Sequence, residues 1–228
     1  MATLSLDARL SCVAALVRQG AVLADIGTDH AYLPLSLLET GRISFALCTD
    51  VNEGPLARAR EHAALTPYME KMRFRLCDGL SELSGEAMDD IVIAGMGGEL
   101  IASILDHAPF VRDGRYRLIL QPMTKQEHLR SYLYQNGFAI LREVYASAEG
   151  KHYLTLLVEY TGAEETLTPF EALVGRFPFD ASDASMGAYL DGKRRSLLSA
   201  IDGKRRGGVD CTAEQTLLSS LDAFCHAK

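Results

Sequence analysis

Short apolar runs rich in β-branched residues alternate with amphipathic stretches along most of the chain. Runs at 21–25 (AVLAD), 43–49 (ISFALCT), 72–76 (MRFRL), 90–94 (DIVIA) and 116–120 (YRLIL) have the length and composition of strands. Helical periodicity fills the gaps at about 31–40, 53–65, 98–107 and 125–137. Leu6, Leu10, Val13, Ala14 and Val17 share one face of an opening helix over 4–18, which Gly20 can end. Strands joined through helices run parallel and are covered on both faces, so the pattern predicts an α/β sheet. The alternation stops at 138. FAILREVYASAEGKHYLTLLVEY reads as two long strands joined at Glu149 and Gly150, an antiparallel hairpin that closes the sheet. Beyond Gly162 the strand signal is gone, and a linker-like TGAEETLTP leads to helices at about 186–206 and 212–226. The chain divides into an α/β domain over 1–161 and a small α-helical unit over 162–228.

Composition narrows the class. With 228 residues, 48% of them hydrophobic, the chain can bury a full core and still carry a small second unit. The longest apolar run, near 91–97, is far short of the ~20 residues a bilayer span needs. The N-terminus lacks the basic-then-apolar pattern of a leader, which gives a cytoplasmic expectation. Five cysteines without CxxC spacing read as reduced thiols, and the six histidines show no ligand spacing, so no metal is expected. A net charge of −7 opposes indiscriminate binding to polyanions. The tail is less acidic: 162–228 carries eight Lys and Arg against ten Asp and Glu.

In an open parallel sheet the ligand sits at the C-terminal ends of the strands, so the residues just after each strand carry the chemistry. Asp25, Gly27 and Asp29 follow the first strand, Asp50 the second, Asp78 and Gly79 the third, and Gly95, Met96, Gly97 and Gly98 the fourth. A dinucleotide loop uses three glycines to bring backbone N–H groups onto a pyrophosphate. Here Gly27 stands alone and Asp29 would repel a phosphate. S-adenosyl-L-methionine has no phosphate and carries a sulfonium and an ammonium, so acidic residues around one glycine favour it. Asp50 lies near the spacing at which a carboxylate accepts from ribose hydroxyls, and Asp78 is placed to accept from the adenine amine.

The segments ADIGTDHAYLP, IAGMGGELI, LILQPM, LRSYLYQNGFAI and EGKHYLTLLVEY together resemble the TrmK family, the bacterial tRNA (adenine-22-N1)-methyltransferases, over about 4–161. The resemblance implies a class I methyltransferase Rossmann-like domain with a coiled-coil-like helical tail, S-adenosyl-L-methionine as methyl donor, and a tRNA adenosine of the D-arm as acceptor. The chain departs from the family at Gln121, Pro122 and Met123, where Asn usually follows the proline.

Methyltransferases for exocyclic amines carry an Asn/Asp-Pro-Pro-aromatic loop after the fourth strand. AGMGG stands there instead, in keeping with attack by ring N1, and its glycines are expected to leave room for a base. Asp29 is the candidate to stabilise the positive charge that N1 alkylation puts on adenine, with helix capping as the alternative. His30 and Tyr32 contact donor or base, or only pack. DGKRR occurs at 191–195 and again at 202–206, an offset of three helical turns. On one unbroken helix Lys193, Arg194, Arg195, Lys204, Arg205 and Arg206 would form a phosphate-gripping ridge opposite Leu190, Leu197, Leu198 and Ile201. Gly192 and Gly203 each cost about 1 kcal/mol inside a helix and would favour a break. A small-molecule methyltransferase, a non-catalytic binding module and, most weakly, a nicotinamide dehydrogenase stay open as alternatives, as does the oligomeric state.

Overall fold

A computed structural model describes residues 5–226. Five parallel strands form most of the sheet: β1 (Ala21–Ile26), β2 (Ile43–Asp50), β3 (Met72–Leu76), β4 (Asp90–Gly97) and β5 (Arg117–Thr124). The closing hairpin is β6 (Phe138–Ala148) and β7 (Lys151–Tyr160), with Glu149 and Gly150 both left-handed in its turn. The order is β3-β2-β1-β4-β5-β7-β6, and β7 runs antiparallel between β5 and β6. Crossovers leave β1 toward one edge and β4 toward the other, so the chain reverses between them and opens a cleft there.

Both faces are covered. One carries α1 (Ala8–Leu16), α2 (Tyr32–Glu39) and α3 (Glu53–Ala64), with Val13, Val17, Leu35, Leu38, Ala59 and Ala63 buried against the strands. The other carries α4 (Gly98–Asp106) and α5 (Gln126–Gln135). The opening helix starts later than its periodicity suggests, because the Asp7 side chain accepts from the Leu10 N–H and caps it. Residue 4, where the sequence placed its start, lies outside the described residues, as do 1–3 and 227–228.

The tail is docked on the sheet. α7 (Ala184–Arg206) packs on β6 and β7, α8 (Thr212–His226) packs on α7, and Met186, Tyr189, Leu190 and Leu221 join the cluster that holds Leu129, Tyr145 and Leu154. Contrary to the expected break, α7 passes through Gly192 and Gly203 without interruption. Burial of Tyr189, Leu190 and Ile201 on one face outweighs the two glycine penalties.

An unanticipated short helix, α6 (Pro169–Val174), begins at the last residue of the linker-like stretch. Thr168 and Glu171 cap it reciprocally, with Pro169 in its first turn. Its last carbonyls, Ala172 and Leu173, accept from the guanidinium of Arg130 at 3.1 and 3.0 Å. Arg130 is fully buried and makes a two-pronged pair with Glu143 at 2.7 Å through each nitrogen, and the Tyr145 hydroxyl donates to the same carboxylate. This paired charge pins tail, α5 and β6 together. Among the described residues no helix is long and apolar enough to cross a membrane, and no cluster of three or more His, Cys, Asp or Glu could hold a metal ion.

Candidate active site

The C-terminal ends of β1, β2 and β4 define two adjoining hollows separated by Gly27 and Gly95. One, of about 330 Å³, is lined by Thr49, Asp50, Asp78, Gly79, Met96 and Ile104. The other, of about 420 Å³, is lined by Arg9, Asp25, Asp29, His30, Tyr32 and Gly95. The turn between them decides what can bind. The N–H groups of Gly27 and Thr28 both donate to the Thr49 carbonyl at 2.8 Å. Donors that a dinucleotide loop aims at a pyrophosphate are therefore used to tie β1 to β2. Asp50 accepts from the Asn52 N–H at 2.7 Å through one oxygen, leaving the other for a hydroxyl.

Asp25 lies at the bottom of the second hollow, 8% exposed. Burial pushes its carboxyl up to about 6, against the hydrogen bond from the Thr28 hydroxyl and the nearby Arg9. Such a group gains from a cationic ligand that restores what desolvation removed. Arg9, absent from the sequence-derived site, reaches in from α1 and donates to Gln121 Oε1 at 3.0 Å; the Gly95 N–H donates to the same oxygen at 3.1 Å. Gln121, fully buried, thus joins α1, β4 and β5 at the cleft.

Asp29 does not cap α2, whose N-cap is Ala31 without any side-chain bond. It stands 61% exposed at the rim, 3.0 Å from the Arg58 guanidinium and 3.4 Å from His30 Nε2. His30 and Ala31 are both left-handed, at φ 62° and 56°.

Comparison with known proteins bears on this geometry. The family model described as a methyltransferase domain matches residues 6–156. The Bacillus subtilis tRNA (adenine(22)-N(1))-methyltransferase is 38% identical over 159 residues, 70% of this chain and 67% of that protein. The crystal structure of B. subtilis TrmK is 31% identical, covers 97% of this chain and 96% of its own, and superimposes with a TM-score of 0.80. The chain belongs to the TrmK family. A Streptococcus pneumoniae relative solved in complex with S-adenosyl-L-methionine is 31% identical, with 97% of this chain and all of that one covered at a TM-score of 0.84.

Within this TrmK fold the glycines after β4 serve a purpose other than the one expected. The strand continues through them to Gly97, paired irregularly with β5. A Cβ on Gly98 would lie 2.3 Å from the Lys125 carbonyl oxygen, so its bareness admits the β5–α5 turn and not a base. A Cβ on Gly97 would sit closely, at 3.3 Å, against the Thr124 hydroxyl, and one on Gly27, at φ 77°, would meet the Met96 methyl at 2.2 Å. Of the glycines after β4, Gly95, at φ 82°, is the one that lines the hollows, beside Arg9.

The six cations of the TrmK tail are mostly engaged. Lys193 donates to Gln126 at 2.8 Å and Glu127 at 2.5 Å, Arg194 pairs with Asp222, Lys204 with Glu214 and Arg206 with Asp202. Among the described residues, Arg195 and Arg205 are the two of the six without a hydrogen bond or ion pair. The DGKRR repeat weights both triplets equally, because intra-tail pairing has no local signature.

Proposed function

We propose that this chain transfers the methyl group of S-adenosyl-L-methionine to N1 of adenosine 22 in the D-arm of tRNA. S-adenosyl-L-methionine, when bound, supplies a methyl made electrophilic by the sulfonium. The observation that carries the reading is the chemistry of the cleft: buried or half-buried carboxylates at Asp25 and Asp50, a glycine turn whose N–H groups are already used, and no place for a phosphate. Asp25, Gly27, His30 and Gly95 hold the cationic amino-acid end, while Asp50, Asp78, Gly79 and Met96 hold the nucleoside. Gly97 lines neither hollow and packs against Thr124.

N1 of adenine has an in-plane lone pair and needs no base to expose it, so alignment supplies most of the acceleration. The ring becomes cationic as the bond forms, and the carboxylate of Asp29 at the rim stabilises that charge. N1 also lies on the Watson–Crick edge, which must be exposed before reaction. Arg195 and Arg205, about 15 Å apart along α7 at 1.5 Å per residue, supply free charge for the RNA backbone. Lys193, Arg194, Lys204 and Arg206 are neutralised by Glu127, Asp222, Glu214 and Asp202 and would have to leave those pairs to meet RNA. With tRNA as acceptor, the enzyme works in the cytoplasm.

The test is transfer of a tritiated methyl group to two tRNA transcripts that differ only at position 22. Label should enter the adenosine-22 transcript and not its guanosine-22 counterpart. Equal labelling of both, or of neither, would overturn the assignment.

A further inference from the structure

Three aromatic rings meet at the rim of the cleft, and two of them, Tyr32 and His62, have no part in the donor site proposed above. His30 and Tyr32 stack with centroids 5.3 Å apart and planes 12° off parallel. His62, from α3, lies 5.1 Å from His30 and 5.4 Å from Tyr32. His62 Nδ1 is 3.1 Å from the His30 carbonyl oxygen, which fixes α3 to the loop. Rings are ordinarily buried for their apolar area, yet Tyr32 is 40% exposed. Its hydroxyl makes no hydrogen bond among the described residues, and the buried Nδ1 of His30 has no partner either.

The local backbone is costly. Two consecutive non-glycine residues, His30 and Ala31, hold the left-handed conformation. A helix start needs nothing of the kind, since Thr28 or Asp29 could have capped α2 conventionally. What the left-handed pair does is set the His30 ring against Tyr32 at the mouth. Strain held at a cleft, beside the partnerless buried Nδ1 of His30, marks a surface shaped for something that binds there.

The position selects the ligand. Donor adenine belongs to the other hollow, with Asp50, Asp78 and Met96, on the far side of Gly27. Tyr32 lines the hollow of Asp25, Asp29 and Gly95. A flat aromatic face there, next to the carboxylate that meets positive charge, suits the second purine of the reaction. We propose that Tyr32, backed by His30 and His62, is the platform on which the target adenine stacks while its N1 edge faces the methyl group. The inference rests on the RNA-methyltransferase reading above.

Stacking needs a ring and no hydroxyl, so Tyr32→Phe and Tyr32→Leu separate it from packing. With full-length protein and a tRNA transcript, Tyr32→Phe should keep kcat/KM within about twofold. Tyr32→Leu should lose roughly ten- to a hundredfold, the range of one aromatic–base stack. Affinity for S-adenosyl-L-methionine by calorimetry should be unchanged in both. A transcript with 2-aminopurine at the target position should be quenched on binding wild type and Tyr32→Phe, and not Tyr32→Leu. Wild-type kcat/KM in Tyr32→Leu would overturn the platform while leaving the enzyme reading intact. Loss of donor affinity matching the loss of activity would overturn it too, by giving Tyr32 to the donor site. If the wild-type protein labels no tRNA, the underlying reading fails and the platform falls with it. Should Tyr32→Leu not fold, Tyr32→His, which keeps a ring, against Tyr32→Gln, which does not, makes the same comparison.

Discussion

Replacing Asp25 by Asn separates what the buried carboxylate costs from what it does. Burial lifts its carboxyl from an ordinary 3.8 to about 6, and the negative charge of Asp50 pushes the same way. Each tenfold change in proton affinity is worth about 1.4 kcal/mol, so holding Asp25 ionised in the empty protein at pH 7.5 costs up to about 3 kcal/mol. The sign follows from the folded value lying above the unfolded one. Stability is fully present below about pH 4 and is lost as pH rises through about 6. Asn has the same shape and can still accept from the Thr28 hydroxyl, but never ionises. The donor-free variant should therefore melt roughly 6–10 °C above wild type at pH 7.5, with the gap closing toward pH 4.5. Affinity for S-adenosyl-L-methionine should move the opposite way, by about ten- to a hundredfold, as a charge-assisted bond is lost. Thermal melts across pH 4.5–8 and calorimetric titration at pH 7.5 measure both. A variant that is less stable at pH 7.5, or that binds the donor like wild type, would refute the reasoning.

Other perturbations probe the rest of the account. Asp29→Ala should bind donor normally and lose at least tenfold in kcat on tRNA, read by initial rates at saturating donor; full activity would remove its charge-stabilising role. Arg130→Ala leaves Glu143 buried without its partner and should destabilise the fold by about 3–5 kcal/mol in urea unfolding. Gly98→Ala drives a methyl into the Lys125 carbonyl, which is backbone and cannot move aside, so soluble yield and melting temperature should both fall. Arg195→Glu with Arg205→Glu should weaken tRNA binding and reduce the slope of log K against log salt by about one for each lost phosphate contact. The same pair should leave donor affinity unchanged.

The strands were plain from the sequence because each is a short apolar run closed by a turn residue, and the hairpin because two long alternating runs meet at Glu149 and Gly150. The carboxylates that line the two hollows were legible for a related reason: the fold opens its cleft at strand ends, and Asp25, Asp50 and Asp78 stand there. What escaped was set by distance. Arg9 and Gln121 are 112 residues apart, and no local pattern announces their bond. Gly95 to Gly98 look like a loop in one dimension, whereas packing against Lys125 makes them a strand end and a helix start. The α6 helix did carry a local signal, the Thr168, Pro169 and Glu171 of a capped start, hidden by acidic, linker-like neighbours. Whether a lysine or arginine in the tail is free depends on α8, which the repeat of DGKRR does not mention.

The central claim is that this cleft methylates the ring nitrogen N1 of one tRNA adenosine. The most direct measurement incubates the protein with S-adenosyl-L-methionine and unmodified tRNA, digests the RNA, and identifies the methylated nucleoside and its fragment by mass spectrometry. The account predicts 1-methyladenosine confined to the fragment holding position 22. N6-methyladenosine, 1-methyladenosine at another position, or no methylated nucleoside would contradict it.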